Sequence, residues 1–261
     1  MAECEALRVE SLSVTYNGRT ALEDVTFSVQ EGERVAVVGP NGAGKSTLFR
    51  VIVGLLVPEQ GRVEVFGCDP FRRRVPVGYV PQREDVDLSF PVTVADVVMM
   101  GRVREMGWLR WPSQRDREVV RQALEEVGLL QLADRRLDEL SGGQLQRTFI
   151  ARALAQQAPL LLMDEPFAGV DAASEEAILE LLDRLQARGV TVLLATHDLT
   201  LAASRFDRVL LLNTRIIAYG PPGEALCPAT LQRAYGGQLA IWEHERGLML
   251  VGDVHCSGGR R

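Results

Sequence analysis

The chain has 261 residues, 46% of them apolar and 25% charged, the balance of an ordinary globular protein with one large domain or two lobes sharing a core. Its net charge of −6 implies no general affinity for nucleic acid. The acidic start Met1-Ala2-Glu3-Cys4-Glu5 lacks the features of a signal peptide, and no run approaches the roughly 18 apolar residues of a spanning helix, so a membrane role has to come through a partner.

In chain order, residues 7–16 and 24–30 read as antiparallel strands joined by a polar turn at Asn17-Gly18. Residues 34–38 form an apolar run that reads as a buried strand, and residues 47–52 open a helix reaching about Leu56. Pro58-Glu59-Gln60-Gly61 is a turn, followed by short strands at 62–66 and 77–80. From 83 to 157 the period becomes helical, with helices at 93–101, 113–127 and 141–157; Ser113 is a candidate N-cap and Gly128 a stop. Apolar strands return at 160–163, 191–195 and 208–212, with an amphipathic helix at 172–188 closed by Gly189. Strands alternating with helices imply a parallel sheet with crossovers, and the helical stretch reads as a lobe inserted into it. After Pro228 the pattern weakens, and residues 239–242 and 248–251 read as a small terminal hairpin. Cys4, Cys68, Cys227 and Cys256 form no C-x-x-C pair, which argues for a reducing compartment and against a disulfide frame or structural zinc.

Three segments carry chemistry. Gly39-Pro40-Asn41-Gly42-Ala43-Gly44-Lys45-Ser46-Thr47 fits the phosphate-loop pattern G-x-x-x-x-G-K-[ST] between a strand and a helix. Of the 29 Lys and Arg residues only Lys45 is lysine, a compact point charge where arginine would be a bulky planar fork. The glycines let the backbone wrap phosphates against a helix N-terminus; Lys45 reaches the outer phosphates and the Ser46 hydroxyl suits Mg²⁺. Asp164-Glu165 ends an apolar strand, where α/β sheets bind ligands; Asp164 would hold Mg²⁺ and Glu165 would polarise the attacking water. Leu140-Ser141-Gly142-Gly143-Gln144 opens a helix with Ser141 as N-cap and exposed backbone N–H groups, either a second anion site or simply a capped helix.

Together these segments resemble the ATP-binding cassette family, the nucleotide-hydrolysing subunits of ABC transporters. Residues 39–47 and 160–165 match its two Walker motifs and Leu140-Ser141-Gly142-Gly143-Gln144 its signature, with all elements in order over residues 5–225. The resemblance implies an α/β fold: a P-loop NTPase core with a mostly parallel sheet, an N-terminal antiparallel β part and a helical lobe at about 83–157. The cassette would span residues 1–230, with a C-terminal extension at 231–261. By the same resemblance Tyr16 stacks on adenine. Gln82, in Tyr79-Val80-Pro81-Gln82, contacts Mg²⁺ or water and links the lobes; His197, in Ala195-Thr196-His197-Asp198, stands at the γ-phosphate. Asp171 matches the loop that crosses to a second subunit, although Ala168-Gly169-Val170 departs from the family's usual residues before it.

The implied mechanism needs ATP, Mg²⁺ and a second copy docked head to tail. Nucleotide on Lys45, Ser46 and Gln82 of one copy is covered by Ser141, Gly143 and Gln144 of the other. Phe90-Pro91-Val92-Thr93-Val94, then Val97-Val98-Met99-Met100-Gly101-Arg102, Gly107-Trp108-Leu109-Arg110 and the 166–171 segment are similar to cassettes of manganese, zinc and iron-chelate importers. This implies a peripheral subunit on the cytoplasmic face of a bacterial membrane, bound to an integral permease and, through it, served by an external solute-binding protein. Phe90, Met99, Met100, Met106, Trp108 and Trp111 would supply a permease groove, with about half of them in the core. An importer for a siderophore or vitamin uses the same residues and stays open. A soluble cassette ATPase fits less well: the chain has no sustained heptads, one phosphate loop and no basic patch. The spacing of His244, His255 and Cys256 matches no standard metal site and reads as an exposed tail.

Overall fold

The computed structural model describes residues 5–16, 18–73, 75, 77–82, 91–106, 111–236, 240–244 and 247–251, the last two stretches as backbone. The chain begins with an antiparallel hairpin, β1 (Glu5–Tyr16) and β2 (Arg19–Gln30). β3 (Arg34–Val38) runs through the glycine loop into α1 (Lys45–Ile52), and β4 (Gln60–Val65) returns to pair with β1, giving a small sheet of order β2-β1-β4. β5 (Val77–Val80) precedes the helical lobe: α2 (Val94–Met100), α3 (Val103–Met106), α4 (Gln114–Glu126) and α5 (Gly142–Leu154). Then come β6 (Leu160–Asp164), α6 (Ala172–Ala187), β7 (Thr191–Thr196), α7 (Leu199–Arg205), β8 (Arg208–Asn213) and β9 (Arg215–Gly220). Short helices α8 (Pro222–Ala225) and α9 (Pro228–Tyr235) and a hairpin of β10 (Ala240–His244) and β11 (Gly247–Val251) end the fold.

The large sheet has the order β5-β6-β7-β3-β8-β9, parallel except for β9. The middles of its inner strands β3, β6, β7 and β8 are apolar and buried because both faces are covered. The two-residue period sorts them: Val35 and Val37 face α1 and the small sheet, while Ala36 and Val38 face the cluster of the helical lobe, α6 and α7. Side-chain caps start three helices of the lobe, with capping boxes from Thr93 to Asp96, Ser113 to Asp116 and Ser141 to Gln144. A buried arginine ties the lobe together. Arg102 Nε lies 3.1 Å from Asp116 Oδ1, and its guanidinium donates to Ala155 O at the end of α5 at 2.9 Å.

The differences from the sequence reading have local causes. β2 begins at Arg19 rather than 24, because its polar first turn pairs with β1 through irregular register that no alternation announces. α1 stops at Ile52 instead of about Leu56. α7, β9, α8 and α9 were not foreseen. Pro228 starts α9 from its first turn, where proline is favoured, rather than ending structure. α9 also runs across the 230/231 boundary, and its Leu231 and Ala234 are buried in the main core.

Phe149 on α5 is buried where α5 packs into the cluster shared by lobe and sheet. Phe149→Ala is expected to cost about 3–5 kcal/mol in a urea melt, the range for deleting a buried aromatic. A loss below about 1 kcal/mol would mean that α5 is not packed as described.

Candidate nucleotide site

The strand register brings four chain segments to one edge. Val38 of β3 pairs with Thr196 of β7, Ala195 of β7 with Asp164 of β6, and Met163 of β6 with Val80 of β5. Gly39, His197, Glu165 and, after Pro81, Gln82 therefore leave the sheet at its C-terminal edge, where such sheets bind ligands.

The glycine loop is shaped by close neighbours. A Cβ on Gly39 would lie 2.0 Å from Leu212 O; on Gly44, at φ 100°, it would lie 2.5 Å from Ala21 O. Thr214 N–H donates to Ala43 O at 2.9 Å, and Ala43 N–H closes the loop onto Pro40 O at 3.1 Å. β2 and the β8–β9 turn thus clamp the loop, leaving Asn41 and Gly42 exposed while Pro40, Ser46 and Thr47 are half-buried. Thr214 was not singled out from sequence, since a threonine in a turn carries no signal of what it will meet.

Lys45 is buried, and its Nζ donates to Gly39 O at 2.8 Å and Pro40 O at 3.2 Å. Its ammonium stands 3.9 Å from Glu165 Oε1. Burial pulls the Lys45 pKa below the usual lysine range, while the charges of Glu165 and Asp164 push back. Asp164 is also buried, which pushes its pKa up; a hydrogen bond with the Ser46 side chain opposes this, and Glu165 adds repulsion. Among the described residues, Asp164 Oδ1 has no hydrogen-bond partner. Glu165 adopts φ 47°, an uncommon conformation for a side-chain-bearing residue, held by its N–H donating to Ala195 O at 3.0 Å. Its other carboxylate oxygen lies 3.5 Å from Nδ1 of the exposed His197. Thr196 Oγ1 accepts from Asp198 N–H at 3.0 Å, and Asp198 caps α7 through Leu201 N–H at 2.9 Å, so the backbone on both sides of His197 is pinned. Asp198 could have been recognised as an N-cap before an apolar run.

The structure thus gathers Lys45, Ser46, Asp164, Glu165 and His197 into one cluster. The loop residues Gly39 to Gly44 and Thr47 flank this cluster, and Gln82 follows the end of β5 at the same sheet edge, while Tyr16, the Ser141 motif and Asp171 have surroundings of their own. Tyr16 is exposed at the end of β1, opposite Arg19. Gln82 is half-buried beyond β5. Ser141 and Gln144 bond each other: Gln144 N–H donates to Ser141 Oγ at 3.3 Å and Ser141 N–H to Gln144 Oε1 at 3.0 Å, beside the half-buried Gly142 and the buried Gly143. Asp171 caps α6, accepting from Ser174 N–H and from Ser174 Oγ, both at 2.9 Å, and those bonds hold its carboxyl below the usual range. Of the expected groove residues, Met100 and Trp111 are exposed, Met99 packs on the core and Met106 is half-buried; Phe90 and Trp108 lie outside the described residues. His255 and Cys256 lie outside them too, and His244 is described as backbone alone.

The raised Asp164 pKa carries a stability consequence. Its ionised form is disfavoured in the folded chain, so the folded state is penalised above the folded pKa and relieved as pH falls through it. Asp164→Asn is expected to raise the melting temperature of the nucleotide-free protein at neutral pH, with the gain shrinking towards acid. An equal gain at all pH values would show that charge is not its cause.

The comparisons agree with this geometry. The model of a family described as ABC transporter matches residues 22–168. The zinc transport system ATP-binding protein TroB of Treponema pallidum is 49% identical over 246 residues, 94% of this chain and 92% of that protein. The manganese transport system ATP-binding protein MntB of Bacillus subtilis is 46% identical over 235 residues, 90% of this chain and 94% of that one. A dimeric, post-hydrolysis structure of the ATP-binding cassette MJ0796 bound to ADP and Pi matches with a TM-score of 0.73 and 28% identity, over 83% of this chain and 98% of that one. With its phosphate loop, strand-end acid pair and capped Ser141 helix set on this sheet, the chain belongs to the ABC transporter family as one of its ATP-binding cassettes.

Proposed function

We propose that two copies of this chain, docked head to tail under a membrane permease, hydrolyse ATP to drive uptake of a divalent metal ion: manganese, zinc or iron. The observation that carries the ATPase reading is the row Lys45–Glu165–His197, a buried cation, a carboxylate and an imidazole along one sheet edge. The loop amides from Gly39 to Thr47 and the Lys45 ammonium hold the phosphates. Tyr16 stacks on the base. Ser141, Gly142, Gly143 and Gln144 of the second copy close the site, with the α5 N-terminus facing the outer phosphate, and Asp171 lies at the contact between copies.

The residues present fit Mg²⁺. The orphaned Asp164 Oδ1 and the Ser46 hydroxyl beside it are the hard oxygen donors this ion takes, and with Gln82 they would hold it. When bound it neutralises phosphate charge. Glu165 accepts the proton of the attacking water, Lys45 balances the charge gathering on the outer phosphate oxygens, and His197 donates to that phosphate.

The metal reading is supported by the relatives, which are subunits of zinc and manganese transport systems. No helix of the described residues is long and apolar enough to cross a membrane. The exposed Met100, Val103 and Trp111 on the helical lobe suit an apolar permease helix at the cytoplasmic face. The permease would in turn receive metal from an external solute-binding protein.

Glu165→Gln is expected to bind ATP, to dimerise on size exclusion, and to turn over about 100-fold slower or worse, as loss of a general base does. Near wild-type turnover would remove Glu165 from that role. Cells lacking this chain are expected to lose uptake of one of manganese, zinc or iron, measured by radiotracer, and to regain it with the wild-type chain but not with Glu165→Gln. Unchanged uptake of all three would sink the metal assignment.

A further inference from the structure

Gly143, the second glycine of the Ser141 motif, stands in the first turn of α5 with no left-handed backbone to justify it. In a helix, alanine is otherwise preferred to glycine. The reason for glycine is therefore space, and the space is filled by the chain's own α6. A Cβ on Gly143 would lie 2.2 Å from Ser174 Oγ, 2.6 Å from Ser174 Cβ and 3.0 Å from Asp171 Oδ2. The first contact could be relieved by turning a hydroxyl; the second could not, because it involves an atom fixed to the α6 backbone. Ser174 is itself held, since its N–H and its hydroxyl both donate to the Asp171 carboxylate, and it is buried.

We propose that Ser174, braced by Asp171, is a positioning residue for α5: it forms the wall against which the first turn of that helix rests, and this packing within one subunit makes Gly143 obligatory. The inference rests on the head-to-tail reading above and deepens it. The Asp171–Ser174 cap lies a few residues beyond Glu165 in the same chain, so the wall belongs to the segment leaving one nucleotide site. The helix it supports faces the other. Ser174 touches no nucleotide in this arrangement; it acts by fixing where the amides of residues 141–144 point.

The test is a rescue. Gly143→Ala is expected to lower kcat about 100-fold, the scale for a misplacement of about 1 Å, while binding of a fluorescent ATP analogue to the monomer stays unchanged because the Lys45 loop lies on the other lobe. Adding Ser174→Gly removes the 2.2 Å and 2.6 Å contacts and frees Asp171 Oδ2 from its hydroxyl partner, while the N–H of residue 174 still caps α6. The double variant is expected to recover at least about tenfold in kcat, and to regain ATP-dependent dimerisation in the Glu165→Gln background. Ser174→Ala, which leaves the place of the 2.6 Å contact filled, should rescue less than Ser174→Gly. A folded double variant that turns over no faster than Gly143→Ala would overturn the inference, because the glycine would then be demanded by the nucleotide itself. Wild-type turnover by Gly143→Ala alone would overturn it equally. If Ser174→Gly unfolds the chain, the crystal structure of Gly143→Ala decides, and a first turn of α5 left in its wild-type place against Ser174 refutes the wall. Failure of the wild type to hydrolyse ATP, or of Glu165→Gln to dimerise with it, would instead bring down the proposed function and this inference with it.

Discussion

A lysine ammonium and two carboxylates share the C-terminal edge of a sheet that is buried on both faces, and burial works against the charged forms of two of them, Lys45 and Asp164. Lys45 leans on the carbonyls of its own loop and on Glu165. Asp164 leans on Ser46 and, among the described residues, keeps one oxygen without a partner. Such a cluster is under tension: burial works against both charged forms, and mutual attraction only partly offsets it. Under the proposed function, phosphates would meet the Lys45 ammonium and a cation would meet the Asp164 carboxylate.

The rest of the architecture serves to keep these charges close. Five parallel strands end in register, so residues far apart in the chain leave the sheet side by side. The β2 strand and the β8–β9 turn press the glycine loop into shape from outside. The strained backbone at Glu165 is held by a bond to Ala195 on the neighbouring strand, which aims the carboxylate between Lys45 and His197. Preorganisation of this kind lowers the reorganisation needed when charge develops.

The helical lobe follows a different logic. Its helices α2, α4 and α5 start from side-chain caps, and the lobe is joined from inside by Arg102, which links the turn after α2 to the start of α4 and the end of α5. α5 therefore has a fixed rear end and, at its front, a close contact with the α6 cap. Under the proposed head-to-tail arrangement, α5 would lie between the outer face of the lobe and the surface offered to a second copy.

Much of this was open to a reader of the sequence. Glycine spacing around Lys45, an apolar strand ending in Asp164-Glu165, and Ser141 before a helical run are local patterns, and local patterns are set by the two-residue and 3.6-residue periods of the backbone and by nearest-neighbour hydrogen bonds. The strand ends that carry Gln82 and His197 were legible for the same reason. The elements that were missed, α7, β9 and α9, are short or amphipathic only against a surface supplied by distant residues, as Leu231 is against the main core. The Thr214 clamp, the φ of Glu165 and the wall that Ser174 raises against Gly143 lie further still from anything a window of sequence can contain. Motif chemistry is written in neighbours along the chain. The distances that let those motifs act together depend on which strands pair and which helices cross, and only the folded chain decides that.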